Sequence, residues 1–263
     1  MQLPWYSFHF VGIGGIGMSG LAHILLDLGY KVSGSDIKDT PLLKSLCEKG
    51  AKIYIGHKAE HINDAEVIVY SSAIKSNNIE LLTAKKKKIP LISRGKMLSL
   101  FMSQKKGIAI AGTHGKTTTA AMAATMLKNA AFSPTTIVGG IINGTGLNAW
   151  LGDGEYLVAE ADESDKSFLL LDTEIAIITN IDADHLDHYS NITEIETTFL
   201  KFLKKVKNTA IICGEDKRLK NLAKELDVKV YTYGFSKTND FEARDLRLKD
   251  ESYFDFYFKG ENI

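Results

Sequence analysis

Gly107-Ile-Ala-Ile-Ala-Gly112-Thr113-His114-Gly115-Lys116-Thr117-Thr118-Thr119-Ala120 is the stretch on which the reading of the fold turns. Ile108 to Ala111 is an apolar run that predicts a strand, and the Ala- and Met-rich sequence from Lys116 to about Asn129 predicts a helix. Between them, Gly112 and Gly115 allow backbone angles and close approach that a Cβ would forbid, so successive N–H groups converge on an oxygen-rich anion. The helix adds its positive dipole end and its unpaired N–H groups at the same place. Together these read as a phosphate cradle made of Gly112, Thr113, His114, Gly115, Lys116, Thr117 and Thr118. Lys116 is expected at the β- and γ-phosphates, and the Thr117 hydroxyl on Mg2+. The common P-loop has a Gly five places before its Gly-Lys pair; here that place is Ile110, which predicts a tighter loop. The other reading of the same residues is an ordinary strand-turn-helix with a capping Thr.

The surrounding composition narrows what such a cradle serves. A chain of 263 residues is enough for one large or two moderate domains. Its 32 Lys plus Arg balance 32 Asp plus Glu, so no global field draws it to nucleic acid or an anionic membrane, and any anion site must be local. Cys47 and Cys213 lie far apart, with neither a disulfide framework nor metal-ligand spacing. No apolar run approaches the length of a membrane span, and Met1 to Tyr6 lacks the basic start and apolar core of a signal peptide. The chain reads as soluble, unexported and cytoplasmic.

Upstream of the cradle, Phe8 to Val11 predicts a strand, followed by Gly12-Ile-Gly14-Gly15-Ile-Gly17 and a helix that stops at Gly29. Lys31 to Gly34 predicts a second strand, ending in Ser35-Asp36. This is a βαβ unit with dinucleotide spacing of glycines and an acid, Asp36, 19 residues after Gly17. Gly14 clears the turn for a pyrophosphate, and Asp36 suits a ribose hydroxyl. Taken alone the motif suggests NAD, although any nucleotide diphosphate carries the same pyrophosphate, and glycines also serve plain helix–strand packing. The alternation continues through a helix at Pro41 to Lys49 and strands at Lys52 to Ile55 and Glu66 to Tyr70. Ser71 and Ser72 follow that last strand, at the end where such sheets bind ligands. A helix from Ile79 ends in the Lys85 to Lys88 run, where cations complement the dipole. Ile89 to Ser93 and Arg94 to Ser103 complete a first domain, and polar Gln104-Lys105-Lys106 marks the boundary, giving domains 1–105 and 106–263.

Downstream, Thr136 to Gly140 is followed by a polar loop from Ile141 to Asn148, and a strand at Tyr156 to Ala159 delivers Glu160 at its tip. A carboxylate there suits Mg2+ or its waters opposite a phosphate cradle. A strand at Ile175 to Thr179 leads to Asn180, then to Asp182, Asp184, His185, Asp187 and His188, which read either as a metal-capable cluster or as a solvated acidic turn. Cradle, Glu160 and cluster all follow predicted strands, so a parallel sheet would bring them to one edge. Strands at Ala210 to Cys213 and Val228 to Tyr233 follow, and alternation at Ala243 to Leu248 and Tyr253 to Phe258 predicts an antiparallel hairpin. His9, His23, His57 and His61 show no partner spacing and read as structural. His114 either orients a phosphate or shapes the turn.

Gly12 to Ala22, Ser71 to Lys75, Ala111 to Thr119, Val158 to Leu169 and Thr179 to Tyr189 together resemble the Mur ligases of peptidoglycan synthesis, over most of the chain. The resemblance implies an α/β fold in which a Rossmann-like UDP-sugar domain precedes a P-loop ATPase-type parallel-sheet domain. It moves Gly12, Gly14, Gly15, Gly17 and Asp36 from NAD to UDP, sets Ser71 and Ser72 with the UDP-sugar, and assigns the cradle to ATP. It further implies Lys116 at the phosphates, Thr117 and Glu160 on one Mg2+, His185 on a second, and Asn180 and Asp184 as supports, Asn180 for ATP. Lys116, Glu160 and His185 would be the catalytic set.

The family chemistry needs no protein nucleophile. A lactyl carboxylate attacks the γ-phosphorus of ATP, and an amine then displaces phosphate from the acyl phosphate to give an amide. Ala161-Asp-Glu-Ser-Asp165 and Asp184-His-Leu-Asp-His-Tyr189 look most like the branch that joins L-alanine to UDP-N-acetylmuramate. A branch that attaches recycled peptides to the same sugar nucleotide is the near alternative. The family's C-terminal amino-acid-binding domain has no counterpart before Ile263, so the chain is expected to be an N-terminal portion, able to bind the sugar nucleotide and ATP but not to complete the ligation alone. A nicotinamide enzyme and a non-catalytic nucleotide-binding module are the other classes; the first has no need of Lys116, Glu160 and His185, and the second predicts no turnover even when the C-terminal half is supplied in trans.

Overall fold

Short apolar runs alternating with helical stretches dictate an α/β architecture. The computed structural model describes residues 1–142, 146–183, 189–248 and 251–263. The chain divides into two units, Met1–Lys106 with Ala120–Glu160, and Gly107–Thr119 with Ala161–Ile263.

The first unit begins β1 (Ser7–Val11), α1 (Ile16–Asp27), β2 (Lys31–Asp36), α2 (Pro41–Glu48), β3 (Lys52–Ile55), β4 (Val67–Tyr70), α3 (Ile79–Lys87), β5 (Leu91–Ser93) and α4 (Arg94–Met102). The strands form a wholly parallel sheet in the order β3-β2-β1-β4-β5. The central strands are covered on both faces, which is why Phe8, Phe10 and Val11 on β1 and Val67, Ile68 and Val69 on β4 are buried without alternation. The order reverses between β1 and β4. Ligands of such sheets bind in the crevice at that point, and Gly12 and Ser71 are the residues that leave these two strands. Helices stop where the sequence predicts: Gly29 (φ 81°) follows α1 and Gly50 (φ 97°) follows α2, both in the left-handed region that favours glycine.

After β6 (Lys106–Ala111) and α5 (Lys116–Asn129), the chain adds β7 (Thr135–Ile142), β8 (Leu147–Trp150) and β9 (Tyr156–Glu160). β7 pairs parallel with β9 and antiparallel with β8. Here the expected polar loop from Ile141 to Asn148 is corrected. Its last two residues open β8, and Asn148 is buried. Asn148 Nδ2 donates to the Ile16 carbonyl of α1 at 2.6 Å, a partner too distant in sequence for a local pattern to reveal.

The second unit contains β10 (Ile175–Ile178), α6 (Ile192–Leu203), β11 (Thr209–Cys213), α7 (Lys217–Ala223), β12 (Lys229–Gly234), β13 (Phe241–Leu248), β14 (Ser252–Phe258) and β15 (Glu261–Asn262). β6, β10, β11 and β12 are parallel neighbours in that order. The expected hairpin is present, with β13 and β14 antiparallel from Phe241↔Phe258 to Leu248↔Ser252. Phe168 seals the core of this unit against Phe199 and Phe202, with ring centroids 5.2 and 4.8 Å away. Among the described residues no helix is long and apolar enough to cross a membrane.

Candidate functional site

The cradle is built by β6 and β10. Their parallel register sets Ala111 beside Ile178, so Gly112 leaves β6 where Thr179 and Asn180 leave β10. Gly112 has φ 131°, and a Cβ there would lie 2.1 Å from Thr179 Oγ1, so glycine is required twice over. Gly115, at φ 80°, turns the chain into α5. Thr179 Oγ1 donates to the His114 carbonyl at 2.6 Å. Asn180 grips the same residue from both sides: Oδ1 accepts the His114 N–H at 2.9 Å, and Nδ2 donates to its carbonyl at 3.0 Å. Thr113 Oγ1 accepts the Asp182 N–H at 2.9 Å. The loop is thus braced from behind, which leaves the first turn of α5 to present N–H groups to an anion.

Lys116 lies across this loop. Its Nζ donates to the Gly112 carbonyl at 2.7 Å and the Thr113 carbonyl at 3.2 Å, and pairs with Glu163 Oε1 at 2.8 Å. Glu163 is a residue that sequence reasoning missed, although it stands within the quoted Ala161 to Asp165 stretch; with several acids in a row, no local pattern singles it out. It is 2 % exposed. Burial pushes its carboxyl above the ordinary carboxylate range, against the pull of the Lys116 hydrogen bond and charge. Tyr189 caps the arrangement by donating its hydroxyl to the Glu163 carbonyl at 2.5 Å.

In the first unit the glycine turn follows β1. Gly12 takes φ 82°, and its N–H and that of Ile13 donate to the Ser35 carbonyl at 2.8 and 3.1 Å. A Cβ on Gly12 would meet Ser71 Cβ at 3.5 Å, so the structure brings the turn and Ser71 together. The Gly14 N–H donates to Asp36 Oδ2 at 2.8 Å, while Oδ1 accepts from the Lys38 N–H at 3.2 Å. Asp36 therefore shapes the turn with its carboxylate. α1 starts after Gly15, which supplies no side-chain cap, so its first N–H groups are presented at a bare helix end. A Cβ on Gly17 would lie 3.2 Å from both Cδ and Nη1 of Arg94, which places that guanidinium beside the turn. Ser72 is in the turn after β4, closed by the Ile74 N–H donating to the Ser71 carbonyl at 3.0 Å.

Glu160 ends β9 and accepts the Gly139 N–H at 2.8 Å through Oε2. A Cβ on Gly139 would lie 2.6 Å from that oxygen, so the glycine lets the carboxylate approach the β7 backbone. Asp184, His185, Asp187 and His188 lie outside the described residues, as do Asn143 and Gly144. Among the described residues no group of His, Cys, Asp and Glu side chains is arranged to hold a metal. His9, His57 and His61 share a partner after all, the buried Glu80.

A model of the Mur ligase family, catalytic domain, matches residues 7–106, and a model of the Mur ligase middle domain matches residues 110–263. The chain belongs to the Mur ligase family. Among curated Mur ligases, the UDP-N-acetylmuramate--L-alanine ligase of Syntrophotalea carbinolica is 46% identical over 260 residues, and that of Pelobacter propionicus 50% over 261. Each match takes in 98% of this chain and 57% of the relative, so the chain spans little more than half the length of these relatives. The crystal structure of UDP-N-acetylmuramate-alanine ligase MurC from Thermotoga maritima superposes with a TM-score of 0.86 at 31% identity, covering 98% of this chain and 59% of that one. The crystal structure of UDP-N-acetylmuramate:L-alanyl-gamma-D-glutamyl-meso-diaminopimelate ligase from Neisseria meningitides gives 0.89 at 26% identity, covering 98% and 86%.

Proposed function

We propose that this chain carries the sugar-nucleotide and ATP sites of a ligase that joins L-alanine to UDP-N-acetylmuramate. The observation that carries the ATP half is Lys116 held across a cradle clamped by Thr179 and Asn180, with Glu163 as its counter-ion. A polyphosphate presents the charge that Lys116 and the amides at the head of α5 complement, and Gly112, Thr113, His114, Gly115, Thr117 and Thr118 supply the walls. Asn180 acts on ATP through His114. In the first unit the diphosphate of UDP would lie on the turn Gly12, Gly14, Gly15 and Gly17 at the open end of α1, with Asp36 fixing the turn and Ser71 and Ser72 beside it. Domains of 1–105 and 106–263 and a cytoplasmic place go with this reading.

The reaction is two displacements. The lactyl carboxylate of the sugar nucleotide attacks the γ-phosphorus, releasing ADP and forming an acyl phosphate. The L-alanine amine then attacks the acyl carbon, forming the amide and releasing phosphate and a proton. Lys116 holds the transferred phosphoryl group in line and neutralises its charge. On the strength of the resemblance, Thr117, Glu160 and His185 are assigned to Mg2+, which would offset phosphate charge when bound. The Neisseria structure favours a second reading, attachment of a recycled peptide to the same sugar nucleotide; the 46–50% identity of the L-alanine relatives favours the first.

Calorimetric titration with Mg-ATP tests the cradle. Wild type should bind and Lys116→Ala should give no signal, while both bind UDP-N-acetylmuramate alike. Equal ATP affinity in the two proteins would remove Lys116 from this role.

A further inference from the structure

Glu80 is a buried ionisable group for which the proposed reaction has no use. It is the second residue of α3, where the helix dipole favours an anion, and it is fully buried. Its Oε2 accepts hydrogen bonds from Ser35 Oγ at 2.6 Å and His57 Nδ1 at 3.0 Å. Its Oε1 accepts from His61 Nδ1 at 2.8 Å and the Lys58 N–H at 3.4 Å, and His9 Nε2 is 3.7 Å away. His61 is held in turn by stacking on Tyr54, with centroids 4.0 Å apart. Burial alone would raise the Glu80 carboxyl; the nearby His9 imidazole and hydrogen bonds from Ser35 and His61 outweigh it and hold the group down at about 2. A buried carboxylate is costly unless its oxygens are fully engaged, and here several elements converge to engage them.

What this cluster fixes is Ser35. The Ser35 hydroxyl donates to Glu80, while its carbonyl receives the N–H groups of Gly12 and Ile13, and the next residue, Asp36, receives that of Gly14. The glycine turn therefore hangs from Ser35-Asp36, and Ser35 hangs from Glu80. The structure assigns Glu80 as a positioning residue of the Gly12–Gly17 turn, acting through Ser35 to fix the backbone that faces a nucleoside diphosphate. The identity of that ligand rests on the reading under Proposed function; the tie between Glu80 and the turn does not.

The test uses the whole chain in three forms, wild type, Glu80→Gln and Ser35→Ala, the last a small change that cuts only the hydroxyl link. Two quantities are measured: amide hydrogen exchange at Gly12, Ile13 and Gly14, and calorimetric affinity for UDP, with Mg-ATP affinity as the control. Both variants should exchange faster at these amides than at the rest of the β3-β2-β1-β4-β5 sheet, and bind UDP about tenfold more weakly with Mg-ATP affinity unchanged. Wild-type exchange at the turn in both variants, or a rise spread evenly over the whole sheet, would overturn the assignment. Should Glu80→Gln fail to fold, Ser35→Ala decides alone. Should wild type bind no UDP, the reading of the site falls, and the exchange comparison still judges Glu80.

Discussion

Lys116 and Glu163 form a pair in which one member is nearly inaccessible to water, and this gives the cradle a dependence on pH. A buried carboxyl raised above its ordinary value of 4.5 holds its proton more tightly in the folded than in the unfolded chain. The stability contributed by that proton is complete below about pH 4.5 and is lost as the pH rises through the raised value. Glu163→Gln has no proton to lose. The difference in melting temperature, variant minus wild type, should therefore grow as the pH is taken from 4 to 8; a difference that stays constant would show that Glu163 does not titrate in this way. Gly112 is equally sensitive to substitution. Alanine there combines φ 131° with a Cβ overlapping Thr179 Oγ1, and should lower the melting temperature by roughly 5–10 °C and abolish Mg-ATP binding. Unchanged melting would mean that β6 and β10 separate easily at this point.

Much of the element level was legible in the sequence because its signals are local. The strand from Ile108 to Ala111, the glycine turn and the helix from Lys116 follow from residues within a dozen positions of one another, as do β1, α1 and β2 and the β13–β14 hairpin. What stayed hidden depends on contacts far apart along the chain. β8 is only four residues long and follows glycine-rich sequence, so neither period nor composition announces it; it exists because it pairs with β7 and packs on α1. Glu163 meets Lys116 across 47 residues, and the histidines meet Glu80 only once β1, β3 and α3 are assembled. Asn148 is the accessible test of such an element contact. Replacing it by alanine removes the buried donor to the Ile16 carbonyl and should cost about 1–2 kcal/mol of stability in chemical denaturation, with Mg-ATP affinity unchanged. A loss within a few tenths of a kcal/mol would mean that apolar packing alone holds β8 to α1.

At the scale of the molecule, two turns of the same physical kind stand in one chain: a glycine turn after a parallel strand, then a helix that presents its N–H groups. The first is fixed by Ser35 and Asp36, the second by Thr179 and Asn180. On the function proposed above, the first takes a sugar nucleotide and the second ATP. If the two turns are separate sites, calorimetry on the 263-residue chain will show it: UDP-N-acetylmuramate is titrated first into the free protein and then into protein saturated with Mg-ATP. One sugar nucleotide should bind per chain in both titrations, and one Mg-ATP independently of it. Loss of sugar-nucleotide binding once Mg-ATP is present, or no binding of UDP-N-acetylmuramate where NADH binds, would contradict that expectation.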